Sequence, residues 1–139
     1  MPTDPDCIFC KIVAGEIPCC TILETDDAIA FLDVGPIAHG HVLLIPKMHA
    51  ETLDKLDSSA MAATARLLPR LVSAVKIATG CEGVNILQNN GAVAGQIVPH
   101  VHFHLIPRTS GDAFTIPWPA GTYPEGEMLV VAAAIRSHL

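Results

Sequence analysis

The sequence predicts an α+β domain with a five-stranded antiparallel sheet, one long helix and a short C-terminal helix. The order of the patterns supports this class, because neighbouring strands come first, one helical pattern follows, and further strands come after it. The chain has 139 residues, of which 50% are hydrophobic and 16% are charged. This composition excludes a disordered or collagen-like chain. The length is enough for one core and neither a repeat nor a linker is visible, so residues 1–139 are predicted to form a single domain.

Five segments have the pattern of strands. They cover residues 20–24, 28–33, 41–45, 84–88 and 98–107. The turn sequence Thr25-Asp26-Asp27 joins the first two strands into a hairpin, and Gly35-Pro36 separates this hairpin from the third strand. A glycine-containing loop at 89–96 separates the last two.

The long helix is predicted over residues 58–79. Asp57 or Ser58 can cap its start, and Gly80 suits a left-handed stop. Apolar residues at spacings of four and three form one stripe along it, namely Met61, Ala65, Leu68, Val72 and Val75. Since the stripe continues beyond Pro69, this proline is expected to kink the helix without ending it. A weaker helix is predicted after Pro124, in a tail rich in glycine and proline.

Charge and hydropathy exclude several kinds of partner. Lys and Arg number 8 against 14 Asp and Glu, a net charge of -6, which argues against nonspecific nucleic-acid binding. The longest apolar run, 128–135, is shorter than the roughly 20 residues of a membrane helix, so no membrane partner is expected. The N-terminus carries acids and prolines where a signal peptide carries basic residues. A cytoplasmic location is therefore predicted.

Cysteine and histidine are the residue types that point to chemistry. The five cysteines cannot all pair, and the Cys7-x2-Cys10 spacing in a reducing compartment indicates a metal or redox pair. The 7 histidines nearly equal Lys and Arg together. Three of them alternate with apolar residues in the segment His100-Val101-His102-Phe103-His104, which places the imidazoles on one strand face. That face is open to three interpretations: a solvated surface, a mononuclear metal site, or nucleophilic catalysis by an imidazole.

The segment 100–106 resembles the signature of the histidine triad (HIT) superfamily, in which three histidines alternate with apolar residues. Further motifs resemble the same family in order and spacing: Cys7-Ile8-Phe9-Cys10-Lys11-Ile12, Gly15-Glu16-Ile17-Pro18, Phe31-Leu32-Asp33, Gly40-His41, Ile45-Pro46-Lys47, Asn89-Asn90-Gly91 and Gly95-Gln96. The match covers about residues 7–108, leaves 109–139 as a C-terminal tail, and is strongest to the Hint-like branch with its bacterial members. The resemblance implies the HIT fold and a homodimer joined through a helix and a strand.

The resemblance also implies a role for each histidine of the triad region. His102 would attack the α-phosphate of a nucleotide conjugate, and a nucleotidyl-histidine intermediate would then be hydrolysed to the monophosphate. His104 would donate a hydrogen bond to a phosphate oxygen, with His100 completing the triad. His41 would support the triad from the neighbouring strand.

A nucleotide site is implied by further matching positions. Phosphate-site candidates are Asn89, Gly95, Gln96 and Ile97. Asp33 would accept hydrogen bonds from the ribose, and an apolar base slot would be formed by Phe9, Ile12, Ile17, Phe31 and Val34. Ile97 departs from the family, which often has Ser or Thr there. Isoleucine has no hydroxyl to assist a leaving group, so the departure bears on substrate preference.

Zinc is the predicted cofactor. A closed tetrahedral site needs two more ligands beside Cys7 and Cys10, and His49 and His100 are the candidates. Some HIT proteins bind structural zinc with this set of two cysteines and two histidines. Such a site has no open position, so the ion would tie the N-terminal segment to the triad and would not act as a Lewis acid.

The function that these expectations favour is hydrolysis of purine nucleoside phosphoramidates or related AMP conjugates. Two alternatives stay open. The same histidine chemistry could cleave or phosphorolyse dinucleoside polyphosphates, or the domain could be a non-catalytic nucleotide-binding module.

Overall fold

The computed structural model describes residues 1–139, and it contains four helices and five strands. The helices are α1 (Ile8–Val13), α2 (Ser58–Ala65), α3 (Leu68–Thr79) and α4 (Glu127–Arg136). The strands are β1 (Thr21–Glu24), β2 (Ala28–Leu32), β3 (Val42–Pro46), β4 (Gly83–Gln88) and β5 (Phe103–Arg108). Single 3-10 turns lie at Leu53–Lys55 and Ala92–Ala94.

The five strands form one antiparallel sheet in the order β1-β2-β3-β5-β4, which confirms the predicted α+β class. The last strand of the chain is inserted between β3 and β4. His104 on β5 is therefore paired with Leu43 on one side and Leu87 on the other. A residue at this central position is held by hydrogen-bonded neighbours in both directions, which limits movement of its backbone.

Each face of the sheet packs against different helices. On one face, alternate residues such as Leu44, Phe103 and Leu105 pack under α2 and α3 with Leu71 and Val75. On the other face, residues of β2 and β3 pack against α1 in a second buried cluster, which consists of Cys7, Phe9, Cys10, Ile29, Phe31, Leu43 and Ile45. The second face is covered only in part, and the remaining part is open.

The long helix predicted over 58–79 is present as two segments, α2 and α3, joined by Arg66 and Leu67 in right-handed helical conformation. Asp57 caps α2 by accepting from the N–H groups of Ser59 and Ala60, and this helix ends at Ala65. Pro69 then lies in the first turn of α3, where a helix needs no N–H donor from its residues. The interruption at Pro69 is local, because Arg66 and Leu67 before it keep right-handed helical backbone angles. Gly80 ends α3 in the left-handed conformation with φ 69°, as predicted.

The strand predicted over 98–107 begins later, at Phe103, so His100 and His102 precede β5. Pro99 removes one donor from this segment, and the N–H of Val101 bonds to the carbonyl oxygen of Ala50 instead of a neighbouring strand. The predicted alternation nevertheless holds. Val101 is fully buried in the core beneath α2 and α3, together with Phe103 and Leu105, and the histidines face the other side.

The C-terminal tail contributes little to either core. Helix α4 confirms the short helix predicted after Pro124, but none of its residues is buried. Most of the segment 115–139 is exposed, including Trp118 and Tyr123. None of the four helices combines the length and the hydropathy that crossing a bilayer would demand.

Candidate active site

A cavity of about 510 Å³ opens on the partly covered face of the sheet. It crosses the strands, from Phe31 on β2 past Leu43 on β3 to Ile106 on β5 and Leu87 on β4. Most predicted site residues line it, namely Phe9, Ile12, Ile17, Phe31, Asp33, Val34, Asn89, Gly95, Ile97, His102 and His104. The walls are mainly apolar, and the polar groups are concentrated around the histidines.

His102 is held by the backbone two residues before it. Its Nδ1 lies 2.6 Å from the carbonyl oxygen of His100, which can only accept a hydrogen bond, so Nδ1 carries the proton. In the neutral ring, Nε2 then bears the lone pair. His102 lines the cavity and is 5% exposed. Its Nε2 has no hydrogen-bond partner within the protein, whereas every fully buried side-chain nitrogen or oxygen has one, so Nε2 opens to the cavity.

A chain of hydrogen bonds fixes the protonation of His104. The N–H of Ile37 donates to Nδ1 of His41 over 3.1 Å, so the proton of His41 is on Nε2. This Nε2 lies 2.9 Å from Nδ1 of His104 and donates to it. The remaining nitrogen of His104, Nε2, therefore carries a proton and is a donor. His41 was predicted to support the triad, and of the three triad histidines it contacts His104.

Asp33 adds a carboxylate beside these rings. One of its oxygens accepts from the N–H of Gly35 over 2.8 Å, and the other lies 3.6 Å from Nε2 of His41. The closer partner of that Nε2 is His104, and burial lowers the pKa of His41, so the His41–Asp33 contact joins a neutral ring to a carboxylate. These three side chains do not fit a metal ion, because the only nitrogen of His41 that faces the group keeps its proton.

The rings of the site are neutral at pH 7. Burial lowers the pKa of His104 to about 4, and His102 and His41 nearby oppose its protonation further. Burial also lowers the pKa of His102, and its hydrogen bond to the carbonyl oxygen of His100 offsets only part of this effect. A neutral imidazole with a free lone pair is the nucleophilic form of this side chain. His102 therefore has the charge state that attack on an electrophile requires.

The apolar end of the cavity adjoins His102. Phe9 packs edge-on against Phe31 with ring centroids 5.9 Å apart, and against His102 at 5.2 Å. Ile12 and Ile17 line the same cavity, and Val34 is almost fully exposed at its mouth. A flat apolar group between these side chains would have its edge close to the imidazole.

The loop before the triad segment carries the predicted phosphate-site residues, and the structure divides them. Asn89 and Gly95 line the cavity, and the Asn89 amide reaches the carbonyl oxygen of Gly95. Ile97 is 92% exposed at the mouth, and its N–H has no acceptor within the protein. Gln96 does not line the cavity. Its side chain accepts from the N–H of Gly91 and donates to carbonyl oxygens at Glu51 and Val98, so Gln96 shapes the loop.

The second predicted site brings together Cys7, Cys10, His49 and His100, whose ligand atoms all lie within 4.8 Å of one another. The two Nδ1 atoms of His49 and His100 are 3.2 Å apart. The sulfur-to-nitrogen distances are 3.4 Å for Cys7–His100, 3.4 Å for Cys10–His49 and 3.7 Å for Cys10–His100. Tetrahedral zinc requires edges of about 3.3 Å between nitrogens and about 3.6 Å between sulfur and nitrogen. The four residues therefore fit this ion.

Surrounding groups orient these ligands. Nε2 of His100 lies 2.9 Å from the carbonyl oxygen of Pro46, so it carries the proton and Nδ1 faces the cluster with its lone pair. The N–H of Asp4 donates to the sulfur of Cys10. Such outer contacts are the usual support of metal-binding histidines and thiolates. Burial lowers the pKa of His100 to about 4 and raises the pKa of the Cys10 thiol.

Two parts of the site were not predicted. The N–H of Ile37 fixes the tautomer of His41, a role that depends on backbone position and leaves no pattern in the sequence. Phe114 lies in the tail, outside the recognised motifs, yet it forms one wall of the cavity. An aromatic residue in a stretch rich in glycine and proline is the only sequence signal that marked it.

The fold and the cavity define a class of proteins that place histidines at and immediately before a central antiparallel strand, against an apolar pocket. The model of the HIT domain matches residues 14–111. The chain therefore belongs to the HIT family, and its relatives place it in the Hint-like branch.

Relatives and solved structures agree with this assignment. The chain is 42% identical to the adenosine 5'-monophosphoramidase of Schizosaccharomyces pombe over 134 residues, which cover 96% of this chain and 98% of that protein. A HIT family protein from Bacillus anthracis superposes with a TM-score of 0.93 at 35% identity, covering 99% of both chains. A zinc-bound histidine triad family protein from Mycobacterium smegmatis superposes with a TM-score of 0.75 at 32% identity, covering 96% of this chain and 98% of that one.

Proposed function

We propose that this protein is a nucleotide hydrolase that cleaves AMP conjugates, in particular purine nucleoside phosphoramidates, at the α-phosphate. The observation that carries the proposal is the protonation pattern of His102, whose Nδ1–H is bound to the backbone while Nε2 opens to the cavity. A relative of similar length is named an adenosine 5'-monophosphoramidase, which supports the same class of substrate.

The first step forms a covalent intermediate. Nε2 of His102 attacks the α-phosphorus, an N–P bond forms, and the bond from phosphorus to the leaving amine breaks. The amine takes the bonding pair and departs with a proton from water. His104 donates from Nε2–H to a phosphate oxygen, where negative charge is held in the transition state. The hydrogen bond from His41 to Nδ1 of His104 keeps that proton in place.

The second step is hydrolysis. Water attacks the phosphorus of the nucleotidyl-His102 intermediate, the N–P bond breaks, and AMP forms while the proton of the water passes to solvent. His102 returns to its neutral form with Nδ1 still bound to the carbonyl oxygen of His100. One difficult displacement is divided into two easier ones, which is the advantage of a covalent route.

The rest of the nucleotide would lie along the cavity. The apolar surface formed by Phe9 and Phe31 would accommodate the flat purine, with Ile12, Ile17 and Val34 around it. Asp33 at the end of β2 would accept from the ribose hydroxyls. The phosphate oxygens would lie near Asn89, Gly95 and the N–H of Ile97. We leave Gln96 out of direct contact with the ligand, because its amide is already bound within the loop.

Zinc would be held by Cys7, Cys10, His49 and His100. The ion would supply a structural cross-link without an open coordination position. The residues around it would then hold the peptide at His100, whose carbonyl oxygen binds His102. The distances among the four ligand atoms and the zinc-bound relative support this assignment.

A second copy of the chain is the proposed partner. Strand β4 forms one edge of the sheet, and its Ile86 is 43% exposed. Ile77 on α3 is 83% exposed, and the family resemblance implies a dimer joined through a helix and a strand. Gel filtration at low protein concentration distinguishes the dimer from a monomer.

Incubation with adenosine phosphoramidate tests the hydrolase proposal. Wild-type protein should release AMP, and mass spectrometry of acid-quenched samples should detect a nucleotidyl adduct on His102. His102→Ala should lose turnover while keeping a wild-type thermal unfolding profile. A parallel panel of dinucleoside polyphosphates separates the alternative hydrolase function. Binding of AMP with neither turnover nor adduct would indicate a non-catalytic nucleotide-binding module.

A further inference from the structure

The cavity has a second end that the nucleotide leaves free. If the purine occupies the slot at Phe9 and Phe31 and the phosphorus is at His102, the part of the cavity over β5 and β4 remains for the leaving group. Ile106 of β5 and Leu87 of β4 line the cavity there, and Phe114 from the tail lines the same cavity. This placement rests on the proposed function.

Phe114 also separates this cavity from a smaller one. The second cavity has a volume of about 260 Å³ and is lined by Ala38, Pro107 and Asp112, among others. Ile37 and Phe114 line both cavities, so their side chains stand between the two. Removal of the Phe114 ring would join the two spaces.

Arg108, the last residue of β5, holds Phe114 in this position. Its guanidinium makes two parallel hydrogen bonds of 2.8 Å to the carboxylate of Asp112, and a third nitrogen donates to the side-chain oxygen of Asn85 on β4. It also donates to the carbonyl oxygen of Phe114 and lies 4.9 Å from the centre of the Phe114 ring. One side chain thus fixes both the backbone and the ring of Phe114.

The turn around Asp112 is itself tied to the sheet. Asp112 accepts from the N–H of Thr109, and Ser110 bonds to the carboxylate of Glu82 through its N–H and its hydroxyl. Beyond this turn the chain is mostly exposed. Phe114 is therefore tied to the sheet through Arg108 and Asp112.

We propose that Phe114 is a specificity-determining residue that limits the size of the leaving group, and that Arg108 is the residue that positions it. Small amines fit between the phosphorus and the ring. Bulky aromatic or branched amines meet the ring, since it separates them from the second cavity. Lysine cannot replace Arg108, because it has neither the planar fork for Asp112 nor the guanidinium plane for the ring.

Kinetics with two AMP conjugates test this proposal: unsubstituted adenosine phosphoramidate and its N-naphthylmethyl derivative. Phe114→Ala should raise the ratio of kcat/KM for the bulky conjugate over the small one by about tenfold. Arg108→Lys should move the ratio in the same direction by a smaller factor. The change should lie in KM for the bulky conjugate, because Phe114 would touch the leaving group and not the phosphorus. Trp118→Ala, an exposed aromatic outside both cavities, is the matched control and should leave the ratio unchanged.

The proposal is overturned if the ratio of kcat/KM in Phe114→Ala falls. It is also overturned if the ratio stays constant, as it would after an equal change for both conjugates. If thermal unfolding shows that Phe114→Ala does not fold, Phe114→Leu replaces it in the same measurements. Calorimetry with both conjugates, carried out in the His102→Ala variant, gives the ratio of their dissociation constants. This ratio reports the same size preference without turnover. If the wild type hydrolyses neither conjugate but the binding ratio shifts with Phe114, the hydrolase proposal fails and the size limit stands.

Discussion

Nε2 of His41 donates a hydrogen bond to Nδ1 of His104 across 2.9 Å, and this contact leaves His104 with its proton directed away from His41. The contact exists because His41 lies immediately before β3 and its own Nδ1 is occupied by the N–H of Ile37. The rings of His41, just before β3, and His104, on β5, therefore have one defined pattern of protons.

Substitution of His41 tests that pattern. His41→Ala should lower kcat for adenosine phosphoramidate by at least about tenfold, because His104 would then adopt both tautomers and lose its fixed donor. Steady-state kinetics and thermal unfolding should be measured together. The exposed His39→Ala is the control and should keep wild-type kcat. Undiminished kcat in a folded His41→Ala protein would show that the hydrogen bond has no part in turnover.

Gly40 should tolerate no side chain. Its φ is +93°, and a Cβ atom there would lie 2.5 Å from Cγ2 of Thr79 at the end of α3. Gly40→Ala is expected to reduce the free energy of unfolding by about 1–3 kcal/mol, measured by urea titration. Gly83→Ala provides the comparison, because Gly83 has no atom near its Cβ direction and no positive φ. Equal stability of the two variants would contradict the expected clash.

Metal analysis should find one zinc ion per chain in protein purified without chelator. Cys7→Ser should lose the ion and lower the unfolding temperature by more than about 5 °C, because an ion that binds only the folded state stabilises it. Cys81→Ser removes a buried thiol outside the cluster and should retain the metal. Wild-type zinc content in Cys7→Ser would exclude this residue as a ligand.

Stability should fall as the pH is lowered from 6.5 towards 4. In the unfolded chain the histidine pKa is near 6.5, whereas His104 in the fold has a pKa of about 4, so in this interval the unfolded state binds more protons. The contribution of His104 is complete above pH 6.5 and decreases by at most about 1.4 kcal/mol per pH unit below it. Urea titrations at pH 7, 6 and 5 measure the slope.

The comparison that isolates His104 is a variant without the ring. The free energy of unfolding of His104→Gln should depend less steeply on pH than that of wild type. His138→Gln, which changes an exposed residue near the C-terminus, should keep the wild-type dependence. Parallel curves for His104→Gln and wild type would mean that this imidazole keeps an ordinary pKa in the fold.

Much of the fold could be predicted because alternation and turn residues are local signals. The strand positions, the caps at Asp57 and Gly80 and the antiparallel class all follow from such signals. The break between α2 and α3 does not follow from local signals, because a continuous apolar stripe does not show whether Pro69 lies inside a helix or at the start of one. Helix α1 has only six residues, too few for a periodic pattern to stand out.

The site was predictable where one short segment carries several of its groups. The alternation around His102 indicated a common histidine face, although two of its residues precede the strand. The direction of the Gln96 side chain could not be predicted, because a polar residue in a loop can turn either towards a ligand or into the loop, and only the packed structure decides which. Phe114 depends on Arg108 and Asp112, and a sequence does not show that these three residues meet.

His100 contributes to two parts of the molecule, through its side chain and through its backbone. Substitution at position 100 should therefore be tolerated less than at most positions of this sequence. Its ring is fully buried among the ligand atoms of the cluster, and its carbonyl oxygen binds the neighbouring His102. In a library of all substitutions, residue 102 should be depleted chiefly by selection for activity. Residue 100 should be depleted by selection for folded protein as well, because its ring lies in the buried cluster with Cys7, Cys10 and His49 while its carbonyl oxygen holds His102.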